Sequence, residues 1–480
     1  ELNANSNRLA RALRARGLRD GDGVAIVCSN RPEFAEVVHA CLRAGLRYTP
    51  VNWHLTPDEV AYIVDDCEAK ALFGDARFAD LMTKAAELSP NARVRLAIGG
   101  EIAGYESYDA ALAEQDGSDI ADPKPGFRML YTSGTTGRPK GVVRPLNYAT
   151  GLTGLTSAPQ YSAGKGQLNL CTGPMHHGGP LVYSMAVPIS HGVGTVLMDK
   201  WDAAEALRLI ETHRITHTHM VPTMFHRLLR LPEEVRRNAD ISSMQYIAHG
   251  AAPCTVAIKK AMIDWFGPIL WEYYAATEGG GASVSPEQWL KKPGTVGKPI
   301  TDDHVWILDD EGNACPAFQP GTIYLKVLEG SDFEYFNDPV KTASAHRGSH
   351  FTVGDVGYLD DDGFLFLTDR SADLIVRGGV NIYPAEVEAV LLQHPAVRDV
   401  AVVGVPSAEW GEEVKGVVEH VAGEPPRPEL EEALIEFCRS HLARFKCPRS
   451  IDIVDELPRS DNGKLYKRRL RERYRGGVDA

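Results

Sequence analysis

Tyr131-Thr132-Ser133-Gly134-Thr135-Thr136-Gly137-Arg138-Pro139-Lys140-Gly141 is the stretch from which the rest of the chain can be read. An apolar run, Phe127 to Tyr131, leads into it and predicts a strand. Three glycines let backbone N–H groups approach a ligand closely, and a nest of such groups holds phosphate oxygens. Thr132, Ser133, Thr135 and Thr136 add hydroxyl donors, and Lys140 adds a point charge on a flexible stem. It is not a Walker A loop, where glycine and lysine are adjacent. Here Arg138-Pro139 separates Gly137 from Lys140. Taken alone, such a segment also fits a plain surface turn. Its length and its company downstream favour a grip on a polyphosphate.

Around this loop the N-terminal half alternates strand and helix patterns. Phe34, Val37, Val38, Cys41 and Leu42 recur at helical spacing over 32–44, with Gly45 as a stop. Thr56-Pro57-Asp58-Glu59 is a capping box with proline in the first turn, opening a helix that ends near Cys67. Val24–Cys28, Tyr48–Val51 and Ala71–Phe73 read as strands between these helices. Such alternation predicts a parallel sheet covered on both faces. Ala203–Glu211 reads as a helix and Ile269–Tyr274 as a strand. Near residue 370 the texture changes to a compact α+β pattern: helix 384–393, strands Val400–Val405 and Val414–Val421, helix 428–441, strand Ile451–Val454. The expected domains are 1–371 and 372–480.

Composition narrows the class. The chain has 480 residues, 44% hydrophobic and 24% charged, as in ordinary globular proteins. No run approaches the roughly 18 apolar residues of a membrane span. The first residue is Glu1, and the expectation is a chain whose true start is lost. Eight scattered cysteines form no CxxC pair, which predicts free thiols in a reducing, cytoplasmic setting and argues against structural zinc. The formal net charge of −13 argues against nucleic acid as a partner. Anionic ligands must then be held by local positive groups. One cluster is Lys464, Lys467, Arg468, Arg469, Arg471, Arg473 and Arg475, opposed by Glu472; it fits a phosphate patch or a solvated helix face.

Four further segments carry chemistry. Trp271-Glu272-Tyr273-Tyr274-Ala275-Ala276-Thr277-Glu278 ends a strand in an aromatic, then a hydroxyl and a carboxylate. In open α/β sheets ligands bind beyond the carboxyl ends of strands. There an aromatic can cover a base, and Glu278 can hold Mg²⁺, which takes oxygen ligands. Gly354-Asp355 with Arg370 can clamp a ribose. Gly378-Gly379 stands in a glycine-rich turn before a helix, and Pro458 to Lys464 is a loop that ends by presenting a lysine.

In this order the segments resemble the adenylate-forming superfamily of acyl-CoA synthetases, peptide-synthetase adenylation domains and luciferases, over essentially the whole chain. The wording is most like bacterial fatty-acyl-CoA synthetases. The resemblance implies an α/β fold: a large N-terminal domain of stacked mixed sheets covered by helices, and a small mobile C-terminal α+β domain carrying a catalytic lysine. It implies ATP, Mg²⁺ and CoA, and two half-reactions. A carboxylate attacks the α-phosphate of ATP to give acyl-AMP and pyrophosphate; CoA then takes the acyl group and AMP leaves.

By the same resemblance Thr132, Ser133, Gly134, Thr135, Thr136, Gly137 and Lys140 cradle the β- and γ-phosphates. Glu278 holds Mg²⁺ and Thr277 touches the α-phosphate. Tyr274 and Ala275 lie against adenine, with Gly250, Ala251 and Ala252 opposite. Asp355 and Arg370 bind ribose. Lys464 bridges carboxylate and α-phosphate, then leaves as the small domain swings about a hinge aligned with Ala372. Gly378 and Gly379 then wall the pantetheine tunnel, near Trp410, which reads equally as a core tryptophan of the small domain. His177 gates the acyl pocket, lined also by Gly178, Gly179, His249 and Gly250. Three positions depart from the family pattern: Ala275 and Asp369 stand where glycine is usual, and Ala372 where the hinge is usually Asp or Lys.

Pro174 to Pro180 holds no carboxylate to pair with a substrate ammonium, so an amino acid is not expected. Small residues at 178–179 and 250–252 suggest room for a long tail, and a medium- or long-chain fatty acid is the expected substrate. An aryl or alicyclic acid, and a carrier protein as acceptor, stay open, as does a homodimer.

Overall fold

A computed structural model describes the chain except residues 133–138, 145–160, 162–165, 300, 302, 329, 371–372, 378–379, 408–409, 422–428, 460–464 and 476–480. Side chains at 369, 370, 381 and 475 are likewise outside the description.

The predicted helices form where their caps put them. Pro32–Ala44 ends on Gly45 at φ +77, the left-handed conformation that suits glycine, and buries Phe34, Val37, Val38 and Cys41. Thr56 accepts from the Glu59 backbone while the Glu59 side chain returns to the Thr56 backbone, and Pro57–Asp66 follows. Among the described residues the strands build four sheets. The first is ordered Glu334–Tyr335, Lys140–Val143, Phe127–Thr132, Arg47–Pro50, Gly23–Val27, Ala69–Asp75, Val94–Ile98, Glu106–Ser107. Its centre is parallel, as the alternation predicts. Its edge is not: Lys140–Val143 returns antiparallel to Phe127–Thr132, and Glu334–Tyr335 adds on from far downstream.

The second sheet runs Lys298–Pro299, Gly280–Val284, Leu270–Ala275, Tyr246–His249, His217–Met220, Leu168–Cys171, Gly194–Leu197. It shares a core with the first: Tyr48, Phe73 and Leu130 pack with Cys171, Met175 and Leu181. Asn30 pins the two polar edges, donating to the carbonyls of Gly173 (3.0 Å) and Met198 (2.9 Å) and accepting from the Met175 N–H (2.9 Å). A third sheet holds Gly321–Lys326, Asp355–Leu359 and Leu365–Arg370. The fourth contains Val380–Ile382, Ile375–Arg377, Gly411–His420, Val397–Ser407 and Ser450–Val454, with its own core of Ile375, Val387, Leu391, Val402, Val418 and Leu434. The fold is thus α/β, a large N-terminal part of stacked mixed sheets followed by a small α+β unit. No helix among the described residues is long and apolar enough to cross a membrane.

Candidate active site

Strand alternation decides what each wall of the site is made of. Tyr246–His249 and Leu270–Ala275 pair in parallel, with Ala248 beside Trp271 and His249 beside Glu272. Tyr273 therefore shares a face with Ala248 and Trp271. His249 shares the other face with Glu272. His249 was expected in the acyl wall with Gly250; its side chain instead turns to the helical side, edge-on to Phe225, because one residue along a strand reverses the face.

At the strand ends three of the sequence motifs converge. The Tyr274 hydroxyl donates to Asp355 Oδ2 at 2.7 Å, and both residues are buried. Asp355 lies directly across the antiparallel pair from Arg370. Glu278 is 7% exposed and its Oε1 accepts from the Tyr335 hydroxyl at 2.8 Å. Lys140 Nζ is 5.7 Å from the Tyr335 ring centroid and 3.8 Å from Asp338 Oδ2. Burial first, and then the Glu278 carboxylate, pushes the Tyr335 phenol up, so it remains a donor at neutral pH. Lys140 and Glu278, far apart in sequence, are thus neighbours through Tyr335. Thr132 closes the strand that pairs with Lys140. Thr277 is partly exposed beside Glu278, and Ala275 is exposed just after a break in strand register.

Gly250 packs against its neighbour strand: a Cβ there would meet the Tyr273 carbonyl oxygen at 2.6 Å and the Tyr273 ring at 2.8 Å. Ala251 follows at φ +66, and Ala252 completes the turn. His177 caps the Gly178–Pro180 turn, its ring 4.4 Å from that of His176. A π-helical stretch, Leu181–Ala186, follows and carries Tyr183 inward. Tyr183 stacks on His219 (5.4 Å) and Tyr273 (4.9 Å), and His219 Nε2 lies 2.8 Å from the Tyr273 hydroxyl. Burial lowers the His219 pKa to about 3, so the imidazole is neutral. A Cβ on Gly179 would meet His219 Cε1 at 2.8 Å. The space directly beside the Cα atoms of Gly179 and Gly250 is therefore taken by the His219 and Tyr273 rings.

Trp410 is 42% exposed with the Arg377 guanidinium 5.0 Å from its ring centroid, so it is not a core residue. Ser133, Gly134, Thr135, Thr136, Gly137, Ala372, Gly378, Gly379 and Lys464 lie outside the described residues. Tyr335, Asp338 and Tyr183 were not singled out from sequence. Asp338-Pro339 is legible as a helix start, and Asp338 does accept from the Lys341 N–H at 2.9 Å, but nothing local points Tyr335 at Glu278.

Comparison with known proteins agrees with this convergence. The AMP-binding enzyme family matches residues 1–327, and the AMP-binding enzyme C-terminal domain matches 386–464. The chain belongs to the AMP-binding enzyme family. It is an AMP-forming acid–thiol ligase of the adenylate-forming superfamily. The enzyme is 35% identical over 468 residues to a 2-succinylbenzoate–CoA ligase of Geobacillus kaustophilus (96% of this chain, 90% of the relative). It is 31% identical over 486 residues to the fatty acid–[acyl-carrier-protein] ligase ScoC of Streptomyces coeruleorubidus (99% and 91%). Its fold matches the crystal structure of the anthranilate CoA ligase AuaEII in complex with anthranoyl-AMP, at a TM-score of 0.90, 24% identity, and coverage of 100% and 92%.

Proposed function

We propose that the enzyme activates a ring-bearing carboxylic acid as its acyl-adenylate and transfers the acyl group to CoA. The meeting of Tyr274 with Asp355, and of Lys140 with Glu278 through Tyr335, carries this reading. In the first step a carboxylate oxygen bonds to the α-phosphorus, the bond to the bridging oxygen breaks, and pyrophosphate leaves. In the second, the thiol sulfur bonds to the acyl carbon, its proton is lost, and AMP departs with the C–O electron pair.

The protein's work is positioning and charge. Lys140, with the hydroxyls of 132–136, holds the terminal phosphates; Tyr274 and the Gly250–Ala252 turn sandwich the base; Asp355 and Arg370 hold the ribose. Glu278 suits Mg²⁺: it is an oxygen donor, Tyr335 occupies one oxygen, and Oε2 accepts no hydrogen bond among the described residues. The ion supplies charge neutralisation at the phosphates. Lys464 offsets charge growing on the α-phosphate. The segment that carries it belongs to the small domain, 372–480, which rotates between the steps and brings Gly378-Gly379 and Trp410 toward the thiol.

The wall supports this substrate class. Tyr183, Tyr273 and His219 build a wall of stacked rings, which favours a planar ring over a flexible chain. Likeness to a 2-succinylbenzoate ligase supports it. A fatty acid is the second reading, favoured by likeness to ScoC. A panel from benzoate to palmitate, followed by AMP release with ATP, Mg²⁺ and CoA, tests both. Ring acids should exceed palmitate in kcat/KM by about tenfold, roughly 1.4 kcal/mol. The reverse order overturns the ring reading. Absence of acid-dependent pyrophosphate exchange with every acid overturns adenylation itself.

A further inference from the structure

Lys259 is fully buried and takes no part in the chemistry above. It lies in the helix Val256–Phe266, and its Nζ donates to Glu272 Oε2 at 2.7 Å. The ammonium sits 4.8 Å from the Trp289 ring centroid. His249 Nε2 is 3.7 Å from the same carboxylate oxygen, and neither ring nitrogen of His249 makes a hydrogen bond among the described residues. Burial pushes the Glu272 carboxyl up and the Lys259 ammonium down, while their mutual attraction opposes both. An apolar pair of similar volume often stabilises a core as well as a buried ion pair does, so stability is a weak reason for this one.

Its placement supplies a better reason. His249 immediately precedes Gly250-Ala251-Ala252, Glu272 immediately precedes Tyr273-Tyr274, and Lys259 belongs to the helix that the turn feeds. Ala251 holds φ +66 without being glycine. Such a conformation costs on the order of 1–3 kcal/mol and persists only where its surroundings over-determine it. One end of the turn is held by strand pairing, His249 beside Glu272. The other is held by Thr255, whose side chain accepts from the Ile258 N–H as the helix cap. The Lys259–Glu272 pair ties the helix to the strand across the turn.

We propose that Lys259 and Glu272 are positioning residues that fix the Gly250–Ala252 turn against the Tyr273–Tyr274 strand end, setting the width of the slot for the adenine ring. They act through that backbone and touch no substrate. The proposal rests on the adenylation reading above.

The test is Lys259→Met combined with Glu272→Leu. Either single change leaves a buried charge unpaired and threatens folding; the double variant removes both charges. It should unfold at a temperature close to the parent's. Its KM for ATP and its Kd for AMP should rise between about fivefold and about 100-fold. Inhibition by pyrophosphate, which carries no adenine, and KM for CoA should stay unchanged. Glu272→Asp keeps a carboxylate for Lys259 and should bind AMP more tightly than the double variant. A folded double variant that binds AMP within about twofold of the parent overturns the proposal. So does equal loss of pyrophosphate and AMP affinity, which marks general loosening. AMP binding is read without turnover, so failure of the adenylation reading would show separately, as a parent enzyme with no acid-dependent exchange.

Discussion

Tyr335 shows how much one hydroxyl can be asked to do. It donates to the proposed cation ligand Glu278 while its ring lies 5.7 Å from the Lys140 ammonium. Tyr335→Phe removes the donor and leaves the ring. A hydrogen bond to a charged group contributes about 1.5–3 kcal/mol, so pyrophosphate exchange should fall about tenfold to 100-fold with little change in Tm. Unchanged exchange would mean that Glu278 needs no holding. Lys464 has a different expectation, since its proposed role concerns one step only. Lys464→Ala should slow adenylation by about 10²–10³ and spare thioester formation from supplied acyl-adenylate. Equal loss in both steps would remove Lys464 from the first. Lys464 is readable from its loop, because a lysine after Asp461-Asn462-Gly463 is locally distinctive. Tyr335 is not, because its partner lies 57 residues away.

At the scale of elements, the strand His217–Met220 carries two buried imidazoles into an aromatic wall. Burial lowers His217 to about 4 and His219 to about 3 from 6.5. Below pH 6.5 the unfolded chain therefore binds protons that the folded chain refuses. The stability these groups provide is complete above 6.5 and declines as pH falls toward 4. One unit is worth about 1.4 kcal/mol per group. Denaturant unfolding between pH 7 and pH 4.5 should show that slope, and His219→Asn should flatten it by about 1.4 kcal/mol per unit. A variant with the parent's slope would show that His219 takes up no proton on unfolding. Caps and periodicity made most elements readable: the box at Thr56 and the glycine stop at Gly45 appear where expected. The π-helical turn Leu181–Ala186 did not announce itself, because its sequence is apolar but for Ser184 and carries no cap.

For the whole molecule the proposal is that one small domain serves two steps. Its main core is separate from those of the large sheets, as rigid-body rotation requires. A proline at the junction fixes φ near −65° and restricts the residue before it. Ala372→Pro should therefore depress one half-reaction far more than the other, read by pyrophosphate exchange against acyl-CoA formation from supplied adenylate. Equal rates in both would place the pivot elsewhere.

The linear chain by itself determined the alternating α/β class and the change of texture near 370, and it marked out the segments proposed to hold phosphate and ribose and to present the lysine. These are local properties, fixed by glycine freedom, hydroxyl chemistry, caps and hydrophobic period. Tertiary structure alone decided that Tyr335 meets Glu278, that His249 turns away from the acyl wall, and that Tyr183, Tyr273 and His219 stack beside Gly179. Those outcomes depend on strand register and on edges joined by segments far apart in sequence. Each is a packing result, in which burying rings and pairing buried charges outweighs anything a neighbour in sequence can specify.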